Sequence, residues 1–232
     1  MIVGIMQPYF MPYIGYFQLI NAVDVYVIYD DVNYIKGGYV NRNSILVENK
    51  PAYINVELKK ASQNKHINEI EITNNIKHKK KLIKTIERSY KKAPYYKIVY
   101  KMFCDIINRE YSNLAEINVY SIKRVCEYLG IKTKIILSSD LDKDNSLRAQ
   151  EKIIDICKRL DADKYYNAIG GRKLYNEDEF LKNGIELKFI KTKEIIYKQY
   201  KDEFINNLSI LDVMMFNSPK QIKEYLNMYD LV

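Results

Sequence analysis

Two adjacent carboxylates close a short apolar run: in VYVIYDD, Asp30 and Asp31 follow residues 25–29 directly. Neighbouring acids in a partly buried place raise one another's pKa, so one can act as a general base or hold an amine. Further on, Asn41-Arg42-Asn43 follows the glycines of KGGYV, and a guanidinium between two amides suits an oxyanion together with sugar hydroxyls. LKKASQN adds Lys59, Lys60, Gln63 and Asn64, donors of several shapes within a few positions. The nearly uncharged opening IMQPYFMPYIGYFQLI supplies Gln7, Tyr9, Tyr13 and Tyr16, whose rings could floor a site for a planar or sugar-like ligand. NAIGG contributes Asn167 with Gly170 and Gly171, a pair that lets a ligand approach the backbone.

Each of these has a plainer reading. The opening could be a buried hairpin, the lysine cluster a solvated loop, the glycine pair a tight strand-to-helix connection, and Asp212 in LSILDVMMF a structural cap or partner. Several chemistries are disfavoured outright. His66 and His78 are the only histidines, and neither lies in HxxxH or HExxH, so neither a protein-built metal site nor a Ser-His-Asp triad is expected. GxGxxG and P-loop patterns are missing too. Cys104, Cys126 and Cys157 lack CxxC spacing and fall on helix-like segments, which reads as reduced core thiols and a cytoplasmic address. The start shows no signal-peptide pattern, and no apolar run reaches the roughly 18 residues of a membrane span. Lys+Arg 37 against Asp+Glu 29 gives +8, concentrated in HKKKLIKTIERSYKKA. That is either a solvated helix face or a surface for an anionic partner: a nucleotide sugar, phosphate, RNA or membrane surface.

The elements that must position these groups follow from periodicity. Residues 2–6 read as a strand stopped by Gln7-Pro8, Pro12 opens a helix, and residues 25–29 are a second strand. A strand, a helix and a strand over this length make a parallel unit, whose ligand crevice lies beyond the carboxyl ends, here residues 7–12 and 30–34. Strands are also expected at 53–58, 134–137, 164–167 and 185–190, and helices at 147–160 and 208–216. Residues 76–129 are helical throughout, with breaks at Pro94 and Ser112-Asn113 and Gly130 as the closing cap. The last residues, NMYDLV, are expected to fray. With 47% apolar residues in 232, the expectation is one α/β domain with a mostly parallel sheet, flanking helices and a helical lobe.

QPYFMPYIGYFQLINAVDVYVIYDDVNY, NRN, LKKASQN, NAIGG and LSILDVMMFNS, in that order, resemble the WbqC-like family of bacterial surface-polysaccharide gene clusters. The likeness runs from residue 1 to about residue 226. Gln7, Pro8, Tyr9, Pro12, Gly15, Tyr16, Asp30, Asp31, Asn41, Arg42 and Asn43 match the family pattern, which carries no catalytic assignment. Tyr39 stands where relatives often have another aromatic, and Gly37 where they often have a basic residue. The resemblance implies a part in O-antigen or capsule assembly, and one member has been proposed to be a glycine transferase. A looser similarity links the strand–PYIGY–strand arrangement to HxGH nucleotidyltransferases of the HUP type. No histidine stands at the places around Gly15, so their usual phosphate chemistry is weakened.

The expectation is a transferase that attaches an amino-acid or small acyl group, glycyl being one case, to an amino sugar, free or nucleotide-linked. Asp30, Asp31 and Arg42 are the catalytic candidates. Arg42, Lys59 and Lys60 would hold a phosphate or carboxylate, Asn41, Asn43 and Gln63 the hydroxyls, and the tyrosines the ring face. ATP or an aminoacyl carrier would supply the activated group, and the basic helices would suit a tRNA. The alternative is a non-catalytic protein of the same pathway that binds a sugar or nucleotide sugar.

Overall fold

The computed structural model describes residues 1–201 and 203–232. Strand β1 (Ile2–Met6), helix α1 (Ile14–Asn21) and strand β2 (Val25–Ile28) form the parallel unit, with Val3 to Met6 paired to Val25 to Ile28. A hairpin follows, β3 (Arg42–Val47) and β4 (Lys50–Asn55). Its turn residues Glu48 and Asn49 have φ of 50° and 60°, the left-handed geometry that matches strand twist in two-residue hairpins. Helices α2 (Ile76–Tyr90), α3 (Tyr96–Asn108) and α4 (Leu114–Leu129) make the helical lobe, and Gly130 closes α4 at φ 69°. Then come β5 (Lys134–Leu137), α5 (Ala149–Arg159), β6 (Lys164–Ala168), α6 (Glu177–Lys182), β7 (Glu186–Thr192), α7 (Ile210–Phe216), α8 (Pro219–Tyr225) and β8 (Tyr229–Leu231).

Six strands lie in the order β5-β2-β1-β6-β7-β8, all parallel except β8. Side chains alternate between two apolar layers, as period-two strands covered on both faces require. Val3, Ile5, Val25, Val27, Tyr165 and Phe189 face α5 and α6, whereas Tyr26, Ile28, Tyr166 and Ile190 face α1, the hairpin and the helical lobe. The sheet grows from β1 towards β2 and β5 on one side and towards β6 and β7 on the other. This reversal beside β1 is where open α/β sheets leave a crevice at their carboxyl ends.

Three expectations shift. The strand expected at 53–58 runs over Lys50–Asn55, because it pairs residue for residue with the unforeseen β3. The chain end, expected to fray, pairs as β8 along β7. Pro12 lies outside α1, whose cap is Tyr13, and its carbonyl accepts from the Ile210 N–H instead.

The opening segment is tied down through its carbonyls. Gln7 O accepts from the Tyr16 hydroxyl and Pro8 O from Asn118 Nδ2, while Phe10 O and Met11 O accept from Asn43 Nδ2. Ser209 Oγ also donates to Met11 O. Met11 holds φ 44°, a strained value for a side-chain-bearing residue, which such bracing can maintain. Gly15 is obligatory for space: an added Cβ would sit 2.4 Å from the Tyr13 ring and 2.7 Å from Thr192 Oγ1. Gly15→Ala is therefore expected to cost about 1–3 kcal/mol, read from the urea midpoint.

Candidate functional site

The adjacent acids at the exit of β2 point to different places. Asp30 lies in the wall of a groove of about 830 Å³ between the strand ends and the helical lobe. Asp31 lies in the wall of a hollow of about 520 Å³ bounded by the start of α5. His66 borders both.

Asp30 is buried, and each of its oxygens is engaged. Ser139 donates from its backbone N–H at 3.1 Å and its hydroxyl at 2.7 Å, and Asn68 Nδ2 donates at 3.3 Å. The carboxylate thereby joins the end of β2 to the 3-10 turns Ser138–Asp140 and Ile67–Glu69. Arg109, Glu110, Glu116 and Lys123 all line the same groove, and the Arg109 guanidinium lies 4.7 Å from the centroid of the Tyr120 ring. Both signs of charge and an aromatic face suit a small ligand with amine and oxygen functions.

Asp31 pairs with Lys143 at 2.7 Å, with side chains only 13% and 2% exposed. Burial pushes the Asp31 carboxyl up, but the Lys143 ammonium, the neighbouring Ser138 hydroxyl and the more distant Lys152 ammonium together hold it below the ordinary aspartate value. It is thus an ionised partner and a weak base. Burial and the Asp31 charge raise the nearby Tyr29 phenol, which stays protonated.

The other expected site residues are placed as follows. Tyr16 is fully buried, so its ring offers no face to a ligand; burial pushes its phenol far up. Asn43 is buried and spends its amide on Phe10 and Met11. Asn41 accepts from the Tyr34 hydroxyl and donates to Val56 O. Arg42 donates to Gly37 O and lies 4.5 Å over the Tyr53 ring, bordering neither hollow. Asp30, Asp31 and Arg42, the three catalytic candidates, therefore do not line one cavity: the hairpin carries Arg42 elsewhere.

Lys59 pairs with Glu71 at 3.0 Å on the surface, and Lys60, Gln63 and Asn64 are exposed beyond both hollows. Asn167 spends its amide on the Tyr165 hydroxyl and the Ala168 N–H. Gly171 packs against it, where a Cβ would lie 2.9 Å from Asn167 Nδ2, while Gly170 faces open space. Gln7 and Tyr9 remain half-buried, with Tyr9 6.3 Å from Tyr39 between ring centroids. Tyr13 borders a third, smaller hollow with Thr192 and Tyr197.

Asp212 is a structural hub. Buried at 0% exposure, it accepts from Tyr90 at 2.8 Å, Tyr197 at 2.6 Å and Gln199 at 2.8 Å. Burial pushes its carboxyl above the ordinary value and the three hydrogen bonds limit the rise. Burial also drives the Cys126 and Cys157 thiols up to about 12, which makes them inert packing groups.

The sequence reading weighed His66 only as a metal or triad residue and passed over Lys143, Arg148 and Lys152. The last three lie in KDNSLRAQEK, whose cations five and four apart straddle the start of α5; that spacing was the available signal. Among the described residues, no group of three or more His, Cys, Asp or Glu side chains could hold a metal ion, and no helix is long and apolar enough to cross a membrane.

Comparison with known proteins agrees with the family resemblance. A stretch of 227 residues, 97% of this chain and 96% of the relative, is 28% identical to the uncharacterized protein Rv1507c of Mycobacterium tuberculosis. No solved structure matches the chain. The model of the WbqC-like protein family matches residues 7–224, and the chain belongs to that family.

Proposed function

We propose that the protein transfers an amino-acid or small acyl group, glycyl being one case, to the amine of an amino sugar during surface-polysaccharide assembly. One observation carries this reading. Asp30 and Asp31, consecutive at a strand end, border two separate hollows that share His66, and a transfer between two substrates needs two adjoining places with a polar group at their junction.

The groove beside Asp30 takes the amine-bearing partner, with Glu110 available to an ammonium and Arg109 to an oxyanion. The hollow beside Asp31 takes the activated partner. The sugar amine attacks the carbonyl carbon of an acyl phosphate or aminoacyl ester. A C–N bond forms, the bond from carbonyl carbon to leaving oxygen breaks, and the leaving group departs with the electron pair. The amine proton passes to a base, for which the His66 imidazole is the group at the junction. Asp30 and Asp31 act as positioning residues, the first through Ser139 and Asn68, the second through Lys143.

His66 is exposed, so His66→Asn is expected to leave stability within about 0.5 kcal/mol while lowering turnover by on the order of 100-fold. The defining experiment is mass spectrometry of the surface glycan with and without the gene, where loss of one amino-acid or acyl mass identifies the group. The rival reading, a protein that binds a sugar or nucleotide sugar without turnover, is favoured by the engagement of both Asp30 oxygens and by the Asp31–Lys143 pair, which leave neither carboxylate free to act as a base. It prevails if purified protein shows ligand-induced thermal shifts but forms no product with any amino sugar and activated donor.

A further inference from the structure

We infer that the hollow beside Asp31 is a phosphate-binding subsite built from the start of α5, Lys152 and Arg148, and that it recognises the phosphate end of one substrate. This rests on, and sharpens, the reading of that hollow as a substrate place. The first N–H groups of a helix have no partner within the helix, and here the cap residue Arg148 provides none from its side chain. That alone describes many helix ends. What sets this one apart is Lys152, one turn in.

Lys152 is only 9% exposed and borders the hollow. Its ammonium lies 5.9 Å from the centroid of the Tyr29 ring, and it has no hydrogen bond or ion pair among the described residues. Its aliphatic stem is packed away while the unshared ammonium is left at the wall of the hollow, where an entering anion can pair with it. Arg148 adds a second cation in the same wall. Lys143 is satisfied by Asp31, so the carboxylate does not oppose an incoming anion with its full charge. The wall therefore carries two cations without a hydrogen-bonded or salt-bridged partner, those of Arg148 and Lys152, beside the positive end of a helix dipole. Ala149, the first residue of α5, holds φ 46°, a strained value at the point where the chain turns into the hollow. Tyr29 offers a ring edge or face to whatever the phosphate carries.

The test is calorimetric titration of the full chain with inorganic pyrophosphate and, separately, with UDP. Saturable binding that weakens with added salt is expected, with Kd raised about tenfold in Lys152→Met and again in Arg148→Gln, and unchanged in the surface variant Lys101→Met. UDP binding more tightly than pyrophosphate assigns a nucleotide-linked substrate, and equal binding assigns the phosphate alone; both uphold the subsite. Without ligand, Lys152→Met is expected to melt no lower than the parent, since it keeps the packed stem and gives up no hydrogen bond or ion pair.

The inference is overturned if neither probe binds saturably, or if both variants bind like the parent. It is equally overturned if Lys152→Met lowers the melting temperature while probe affinity stays put, which would make the lysine a structural group. Transfer to an amino sugar with unaltered KM in Lys152→Met removes this subsite and leaves the transferase reading standing. Phosphate binding in a protein that never forms product does the reverse.

Discussion

Asp212→Leu is expected to destabilise the protein by on the order of 3–5 kcal/mol, because it strands the Tyr90 and Tyr197 hydroxyls and one Gln199 donor in the interior. Tyr90 passes the loss on, since its oxygen also accepts from the Leu46 N–H and so ties α2 to the hairpin. Asp212 further imposes a pH slope of definite sign. Its carboxyl is raised in the folded state, so between the ordinary aspartate value and the raised one the folded chain holds more protons than the unfolded chain. Stability therefore falls as pH rises through that window and levels off above it. Asp212→Asn is expected to abolish this slope. Urea midpoints measured at a series of pH values give both results. An undiminished slope in Asp212→Asn would assign the titration to another group.

Lys143→Met is expected to cost roughly 3 kcal/mol at neutral pH, because it leaves Asp31 ionised and enclosed without its partner. Here the parent protein has the opposite pH dependence. The folded carboxyl is depressed, so its contribution is present above the ordinary aspartate value and is lost as pH falls through the depressed one. In Lys143→Met burial becomes the dominant influence and the slope reverses, so acid partly restores the variant. Adding Asp31→Asn removes the stranded charge and is expected to recover most of the loss. A double-mutant cycle on the denaturation midpoints measures the coupling, and additive losses would show that the pair contributes nothing.

The parallel frame was legible because it is periodic. Residues 2–6 and 25–29 read as buried strands, and the long run from 76 to 129 with breaks at Pro94 and Asn113 maps onto α2, α3 and α4. The hairpin strand at Arg42–Val47 was not legible, because its polar start, Arg42-Asn43-Ser44, reads as loop. Asn43 belongs inside only because Phe10 and Met11 carbonyls need a donor there, a long-range fact that local pattern does not contain. The candidate site divides in the same way. The strand-end rule located Asp30 and Asp31. Adjacent residues leaving a strand turn to opposite sides, so the two acids serve different hollows, and residue types alone could not say which. His66 was weighed only against metal and triad patterns, while its placement depends on the contact of residue 66 with Asn33, a bridge no spacing rule predicts.

The passage from Gln7 to Pro12 is lashed to α1, α4, the hairpin and the Ser209 cap by its own peptide oxygens. A stretch fixed from so many directions is a stationary datum, so any accommodation of a guest must be made by the opposite rim, residues 62–69 and 138–148. Family members that handle different cargo are therefore expected to diverge at positions such as 145 and 148 long before they diverge along this passage.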